Sequence, residues 1–178
     1  MNDSDALSAA VAKSTCVISL LGPNIQDRNV SPTAFSDMYK TLFPLMRQHG
    51  LRRILAMGTI SIQRPEDKWS FFQVMVKGFM RLFASGVYQS VLNVETVFEQ
   101  DAADLDWTVF RIAQIPGGSD EQSWKEDREK GHLFTGWVGE KGWTSKVERS
   151  GLAKWLADAA EGKAAFWIRK MPAVSWHS

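Results

Sequence analysis

The sequence predicts an α/β fold, a mostly parallel sheet with helices on both faces. Three observations predict it. Short apolar runs at residues 16–21 (CVISLL), 53–57 (RILAM) and 107–112 (WTVFRI) are each followed by turn-forming or polar residues. Longer segments with apolar residues at helical spacing lie between them. The two kinds alternate along the chain, which is the pattern of strands joined by crossover helices. The first two runs and the helix between them make a βαβ unit, with parallel strands and a right-handed crossover.

Residues 4–13 carry Leu7, Ala10 and Val11 on one side and read as a short helix. The CVISLL run, closed by Gly22 and Pro23, has the continuous apolar character of a strand buried on both faces. Ser31 and Pro32 supply an N-cap and a first-turn proline for a helix carrying Phe35, Met38, Tyr39, Leu42 and Leu45. Pro44 predicts a kink in that helix and Gly50 its end. RILAM, closed by Gly58 and Thr59, is the second strand. After a polar loop at 61–68, Phe71, Phe72, Met75, Val76, Phe79, Met80 and Phe83 form a broad apolar helical stripe. Gly86 is expected to interrupt it, with a further helix over 87–103. WTVFRI is the third strand, and Ile115, Pro116, Gly117 and Gly118 form its exit. Residues 120–130 read as a solvated helix or loop, and 132–138 as a short strand. Ser145 and Glu148 fit a capping box opening a helix with Leu152, Trp155, Leu156 and Ala159, which ends at Gly162. Residues 166–168 read as a last short strand.

Bulk properties narrow the function. A length of 178 residues suits one domain, and 44% apolar with 23% charged residues is an ordinary globular composition. A net charge of +1 leaves no basic excess for nucleic acid and no basic amphipathic stripe for a membrane surface. No apolar run approaches the ~18 residues of a membrane span. The polar, acidic N-terminus has neither the basic flank nor the apolar run of a signal peptide. The single cysteine, Cys16, excludes an internal disulfide. Together these predict a cytoplasmic protein acting on a small molecule. Eight tryptophans and ten phenylalanines predict a core with aromatic packing, or alternatively a pocket for a flat, apolar substrate.

In a sheet of this kind the ligand crevice lies outside the carboxyl ends of the strands. The segments of interest are therefore 21–24, 58–61 and 113–118. Hydroxyls of Thr59 and Ser61 are placed to hold a carbonyl, or alternatively to make a local loop hydrogen bond. His49, His132 and His177 lack metal-ligand spacing. His132, near Trp137 and Trp143, faces either a pocket or solvent. Cys16 reads as a small buried apolar residue. Residues 136–143 (GWVGEKGW) are either a loop closing over a substrate or a packed loop with aromatic anchors.

CVISLLGP resembles the fourth strand of atypical short-chain dehydrogenases of the NmrA-like and biliverdin/flavin-reductase-like group. LRRILAMGTISI resembles their fifth strand and LDWTVFRIAQIPGG their sixth, and KMPAVS resembles a tail of fungal NAD(P)-binding proteins. The resemblance covers residues 5–172. It implies a partial Rossmann-like domain and an oxidoreductase that uses NADP or NAD on a small organic substrate, aromatic and secondary-metabolite compounds included. It places Leu21, Gly22 and Pro23 against the ribose and nicotinamide, with Gly58 and Thr59 beside them. Ile115, Pro116 and Gly117 would flank the nicotinamide. Ser61 and Tyr88 become the catalytic candidates, orienting a carbonyl. Arg111 follows the family's strand arginine, with a carboxylate or carbonyls as its buried partner. Glu95 matches a family glutamate and is a candidate partner for it.

Two departures qualify the resemblance. The family opens with a strand, a GxxGxxG loop and a helix, then two more strands, whereas this chain begins where the third helix would be. The glycine loop lets backbone amides approach the pyrophosphate. Without that opening, weak dinucleotide affinity is expected, together with an exposed edge on the CVISLL strand that favours self-association. The family's reductase dyad is a tyrosine and a lysine four residues apart, but the residue four after Tyr88 is Leu92. A phenol without an ammonium neighbour is a poor acid at neutral pH. Biliverdin-reductase-like members also lack the dyad. A non-catalytic dinucleotide sensor or interaction protein, and a truncated inactive fragment, are the other two readings.

Overall fold

The structure is a computed structural model describing residues 4–23, 31–129 and 133–178. Its elements run α1 (Ser4–Val11), β1 (Val17–Ser19), α2 (Ala34–Gln48), β2 (Arg53–Thr59), α3 (Phe71–Phe83), α4 (Ser85–Asp101), β3 (Asp106–Ile112), α5 (Glu121–Glu129), β4 (Leu133–Gly136), α6 (Arg149–Ala160) and β5 (Ala173–Trp176). Among the described residues the sheet has the order β1-β2-β3-β5-β4. All pairings are parallel except β4 with β5. Register aligns Ser19 with Ala56 and Thr59 with Ile112, so the three expected strands are neighbours whose carboxyl ends reach one rim.

Side-chain alternation along β2 and β3 feeds two cores. Ile54, Ala56, Trp107 and Val109 face α2 and α4, while Leu55, Phe110 and Ile112 face α6. The first core is aromatic, as expected. Phe98 meets Tyr39 edge-on at 4.7 Å and Phe43 at 5.2 Å between ring centroids, with Trp107 at 5.7 Å. These arrangements suit the quadrupoles of the rings. Tyr39 keeps its hydroxyl satisfied through Ser19, at 2.8 Å. On the other face the indole of Trp155 donates to Thr135, at 2.9 Å, which ties α6 to β4.

Several elements differ from expectation. β1 is short and is not buried on both faces: Ile18 is 44% exposed because β1 ends the sheet and pairs only with β2. α2 begins at Ala34 with Thr33 at its N-cap, two residues beyond Pro32, and runs through Pro44 to Gln48. Gly50, at φ 68°, closes it as expected, and Leu51 N–H donates back to Met46. The break between α3 and α4 falls at Ala84, not Gly86, which lies in the first turn of α4. Ser145 does not cap a helix. Residues 145–147 stay extended because the Gln114 N–H donates to the Ser145 carbonyl and the Val147 N–H to the Gln114 carbonyl, just beyond β3, and α6 starts at Arg149. Residues Ala165–Trp167 form a 3-10 turn instead of a strand, and the last strand is Ala173–Trp176. There the apolar Ala173 and Val174 are almost fully buried, whereas Phe166 is 72% exposed.

Phe98 is wholly buried where α4, α2 and β3 meet. Phe98→Ala is expected to cost about 3–5 kcal/mol, read as a lower urea midpoint with an unchanged slope.

Candidate functional site

The carboxyl ends of β1, β2 and β3 open into a cavity of about 520 Å³ roofed by α3 and α4. Its floor contains Leu21, Gly22 and Pro23 after β1, Gly58, Thr59 and Ser61 at the end of β2, and Ala113 and Gln114 after β3. The fold therefore brings together the residues singled out in the first two segments. The third contributes only its beginning. Ile115, Pro116 and Gly117 are not among the cavity's lining residues, and Ile115 packs towards the α6 core instead. Tyr88 is half-buried on α4, between Val87 and Val91, which line the cavity while it does not. Asn24 and His132 lie outside the described residues.

Polarity is concentrated at the strand ends. The Thr59 and Ser61 hydroxyls hydrogen-bond to each other, and the Ser61 amide donates to the Thr59 hydroxyl at 3.3 Å. Ser61 is almost fully buried and Thr59 half-buried. The roof is apolar, formed by Phe72, Met75, Val76 and Phe79 of α3 with Val87, Val91 and Val94 of α4. Among the described residues that line it there is no Asp, Glu, Lys, Arg or His.

The floor rests on a buried ion pair. Arg111, in β3, has no exposed side-chain surface, and the Asp67 side chain is 2% exposed. They pair through both guanidinium terminal nitrogens, at 2.7 Å each. Arg111 also donates to the carbonyls of Ile62 and Met171, at 2.8 and 2.6 Å. Asp67 accepts from the Gln73 amide and from the backbone N–H groups of Arg64 and Val138. Burial pushes the Asp67 carboxyl up, but Arg111 and these donors outweigh it and hold the group below its ordinary range.

The sequence predicts a carboxylate or carbonyls for Arg111 and offers Glu95 as the carboxylate; Arg111 has both kinds of partner, but the carboxylate is Asp67. Glu95 pairs with Arg64, at 2.7 Å, and not with Arg111. Burial raises the Glu95 carboxyl. Arg64 pulls it down and the neighbouring Glu99 pushes it up, leaving it raised overall. Asp67 was missed because it sits in a loop whose sequence reads only as polar, with no periodic signal to mark it as buried. Cys16 was placed in a core strand, but it lies just before β1, half-buried, where burial raises its thiol.

The residues fit one end of a dinucleotide better than the other. Gly22 leaves backbone exposed at the rim, and the cavity beside it is the size of a cofactor-and-substrate crevice. Gly58 is required by the sheet itself: a Cβ there would stand 2.8 Å from a methyl of Val109. Among the described residues no grip on the pyrophosphate is found at this rim. Residues 136, 139 and 142 have the spacing of a dinucleotide loop, but protein fills the space each glycine leaves. Cβ atoms would meet Phe134 and Glu140 at 2.5 Å, the Lys68 carbonyl at 2.7 Å and the His177 ring at 2.8 Å, respectively. No helix follows directly, and Val138 is fully buried with its N–H on Asp67. The run is a packed loop.

A family model described as NAD(P)H-binding matches residues 1–163. No curated protein matches. Among solved structures, the chain is similar to a short-chain dehydrogenase/reductase from Veillonella parvula in complex with NADP. The TM-score is 0.64 at 15% identity, over 98% of this chain and 68% of that one. It is similar to ChuY, an anaerobillin reductase from Escherichia coli O157:H7, at TM-score 0.60 and 13% identity, over 98% and 71% of the two chains. The oxidoreductase ylbE of Lactococcus lactis gives 0.59 at 12% identity, over 98% and 68%. At such identities the likeness establishes a shared Rossmann-like architecture. Among the described residues no helix is long and apolar enough to cross a membrane.

Removing one partner of a buried pair strands the other charge, so Asp67→Asn and Arg111→Met should each destabilise by about 3–5 kcal/mol, measured by chemical denaturation. The pH dependence has a fixed sign. Because the folded Asp67 carboxyl lies below its ordinary value of 3.8, its contribution is present above that value and lost as pH falls through the lowered one. Asp67→Asn should flatten that acid limb of the stability profile.

Proposed function

This chain belongs to the NAD(P)H-binding family, and from that premise we propose that it is a cytoplasmic NAD(P)-dependent oxidoreductase reducing a carbonyl group on a small organic substrate. The observation that carries this reading is the cavity at the carboxyl ends of three parallel strands, whose hydroxyls, among the described residues, lie at its floor. Residues Leu21, Gly22, Pro23, Gly58 and Thr59 would lie against the nicotinamide end of NADP or NAD, with Ile115, Pro116 and Gly117 flanking it from beyond the cavity. The dinucleotide, when bound, supplies the hydride. Thr59 and Ser61 are left to orient the substrate oxygen and, through their shared hydrogen bond, to pass it a proton. Tyr88, outside the lining, is the second candidate donor. The described lining residues offer no ionised acid or base, so in this reading the chemistry rests on the cofactor and the protein's part is orientation.

The absence of a lysine four residues after Tyr88 favours a second reading, a non-catalytic sensor of the dinucleotide. The two are separated by mixing the purified chain with NADPH and a panel of carbonyls, quinones and flavins. Loss of NADPH absorbance supports the reductase, and binding without turnover supports the sensor. Binding by the 178-residue chain should be weaker than about 100 μM, read by NADPH fluorescence, because the described residues of the rim include no pyrophosphate loop. If turnover occurs, Ser61→Ala should lower kcat by about 10²-fold or more, while Tyr88→Phe should leave it within about twofold. The reverse ranking would move the proton donor to Tyr88.

The same reading includes self-association through β1, whose outer edge is unpaired among the described residues, with Ile18 in the strand and Leu20 just after it both exposed. Ile18→Lys, which places a charge on that edge, should shift any concentration-dependent dimer towards monomer in sedimentation velocity.

A further inference from the structure

The cavity's lining restricts what kind of carbonyl compound it can take. A buried charge must be paired, so a site for a carboxylate, a phosphate or a sugar phosphate needs a cation or several convergent donors. Among the described residues this cavity offers neither: those that line it carry no ionisable side chain, and the hydroxyls of Thr59 and Ser61 already bond to each other at the floor. The other hydrogen-bonding side chain in the lining, Gln114, is at the exposed rim. Above the floor the walls are Phe, Met, Val and Ile. Burying polar groups against them would cost free energy, and burying methylenes would release it.

α3 extends this apolar character to the outside. Met75 and Phe79 line the cavity and are also each 51% exposed, so they form its lip. One turn further, Leu82 and Phe83 are 77% and 76% exposed without lining the cavity. Large exposed apolar side chains clustered at the mouth of a cavity are the signature of a binding groove.

We infer that the substrate is an uncharged, lipophilic carbonyl compound whose oxygen sits at Thr59 and Ser61 and whose apolar body lies between α3 and α4 and leaves past Met75 and Phe79. This rests on the reductase reading for the carbonyl, but the apolar selectivity stands on the lining alone.

The test is a calorimetric titration of the intact chain, without dinucleotide, using straight-chain methyl ketones of four to ten carbons. Affinity should rise by up to about fourfold per methylene, and by at least about 30-fold across the series. The ten-carbon carboxylate should bind at least about tenfold more weakly than the ten-carbon ketone, since its charge finds no partner. Val91→Phe, which narrows the cavity, and Phe79→Glu, which charges its lip, should each weaken the ten-carbon ketone by about tenfold or more. Phe79 is half-exposed, so the second variant keeps the test valid if the first fails to fold. Leu82→Glu, on the same helix but outside the cavity, should leave affinity unchanged. Affinity independent of chain length, or equal binding of the carboxylate, overturns the inference. So does binding abolished by Leu82→Glu but indifferent to Phe79→Glu, which would mark adsorption to the surface of α3. Chain-length-dependent binding with no NADPH consumption would sink the reductase reading and leave this one standing. NADPH-dependent reduction confined to short or charged carbonyls would do the opposite.

Discussion

Taking a guanidinium out of water costs several kcal/mol unless its donors are matched, and Arg111 has no exposed side-chain surface. The cost is met because its fork meets the Asp67 carboxylate squarely and its remaining hydrogen bonds go to the carbonyls of Ile62 and Met171. Asp67 in turn gathers the Gln73 side chain and the N–H groups of Arg64 and Val138. Five separate pieces of chain thereby converge on one point inside the molecule. They are the third strand, the loop after the second, the start of α3, the glycine loop at 136–142 and the approach to the last strand. Hydrophobic burial is non-directional and would hold these pieces together in many relative positions. A bidentate ion pair with every lone pair assigned holds them in one.

The cavity inherits its geometry from that node. Its floor, Thr59 to Ile62, and its roof, α3, are the two ends of a single loop, and Asp67 lies in the middle of that loop. Gln73 bonds both Asp67 and the carbonyl of Ile60, so the first turn of α3 is fixed to the floor directly. Fixing both ends spares the site the ordering entropy that a free loop would pay on binding. The node keeps its charge out of the cavity. Arg111 is paired with Asp67, and Arg64 with Glu95 and Glu99, so neither of these two arginines is free to reach a ligand. The apolar character of the site follows from where the charges are spent, as well as from the phenylalanines and valines on view.

The parts of this arrangement set by periodicity were legible in the sequence. The parallel strands and the α2, α3 and α4 helices announce themselves because each needs one apolar face, and that need is written at a fixed spacing. So was the convergence of Leu21–Pro23 with Gly58–Ser61, since parallel strands must end on one side. What failed has a common cause. Phe166–Ile168 is as apolar as Ala173–Val174, but only the second pairs with β3 as a strand, beside the backbone bond from Arg111 to Pro172, whereas the first is held to β3 through the Thr108 hydroxyl on the Trp167 carbonyl. Ser145 has a capping sequence, but a parallel bridge to Gln114 holds its segment extended. In each case a tertiary hydrogen bond overrode a local preference of about 1 kcal/mol. Asp67 was invisible for the same reason: a carboxylate in a polar loop is indistinguishable from solvent-facing ones until the guanidinium that buries it is in place.

Glycine spacing teaches the same lesson at the level of function. A GxxGxxG pattern implies a phosphate loop only because glycine lets backbone amides come close to an oxyanion. The pattern has no meaning when something else already occupies the room that the missing Cβ creates. At Gly139 that occupant is the Lys68 carbonyl, and at Gly142 it is the imidazole of His177. Both glycines also have positive φ, at 76° and 97°, so a tight turn against neighbouring chain accounts for them fully. The turn serves the ion pair, since it delivers the Val138 N–H to Asp67. Gly22 is different in kind. It sits exposed at the end of β1 on the cavity rim, and the contact that a Cβ would crowd is the flexible tip of Met57, at 3.2 Å. Packing against rigid protein therefore does not explain Gly22, whose free side lies on the cavity rim.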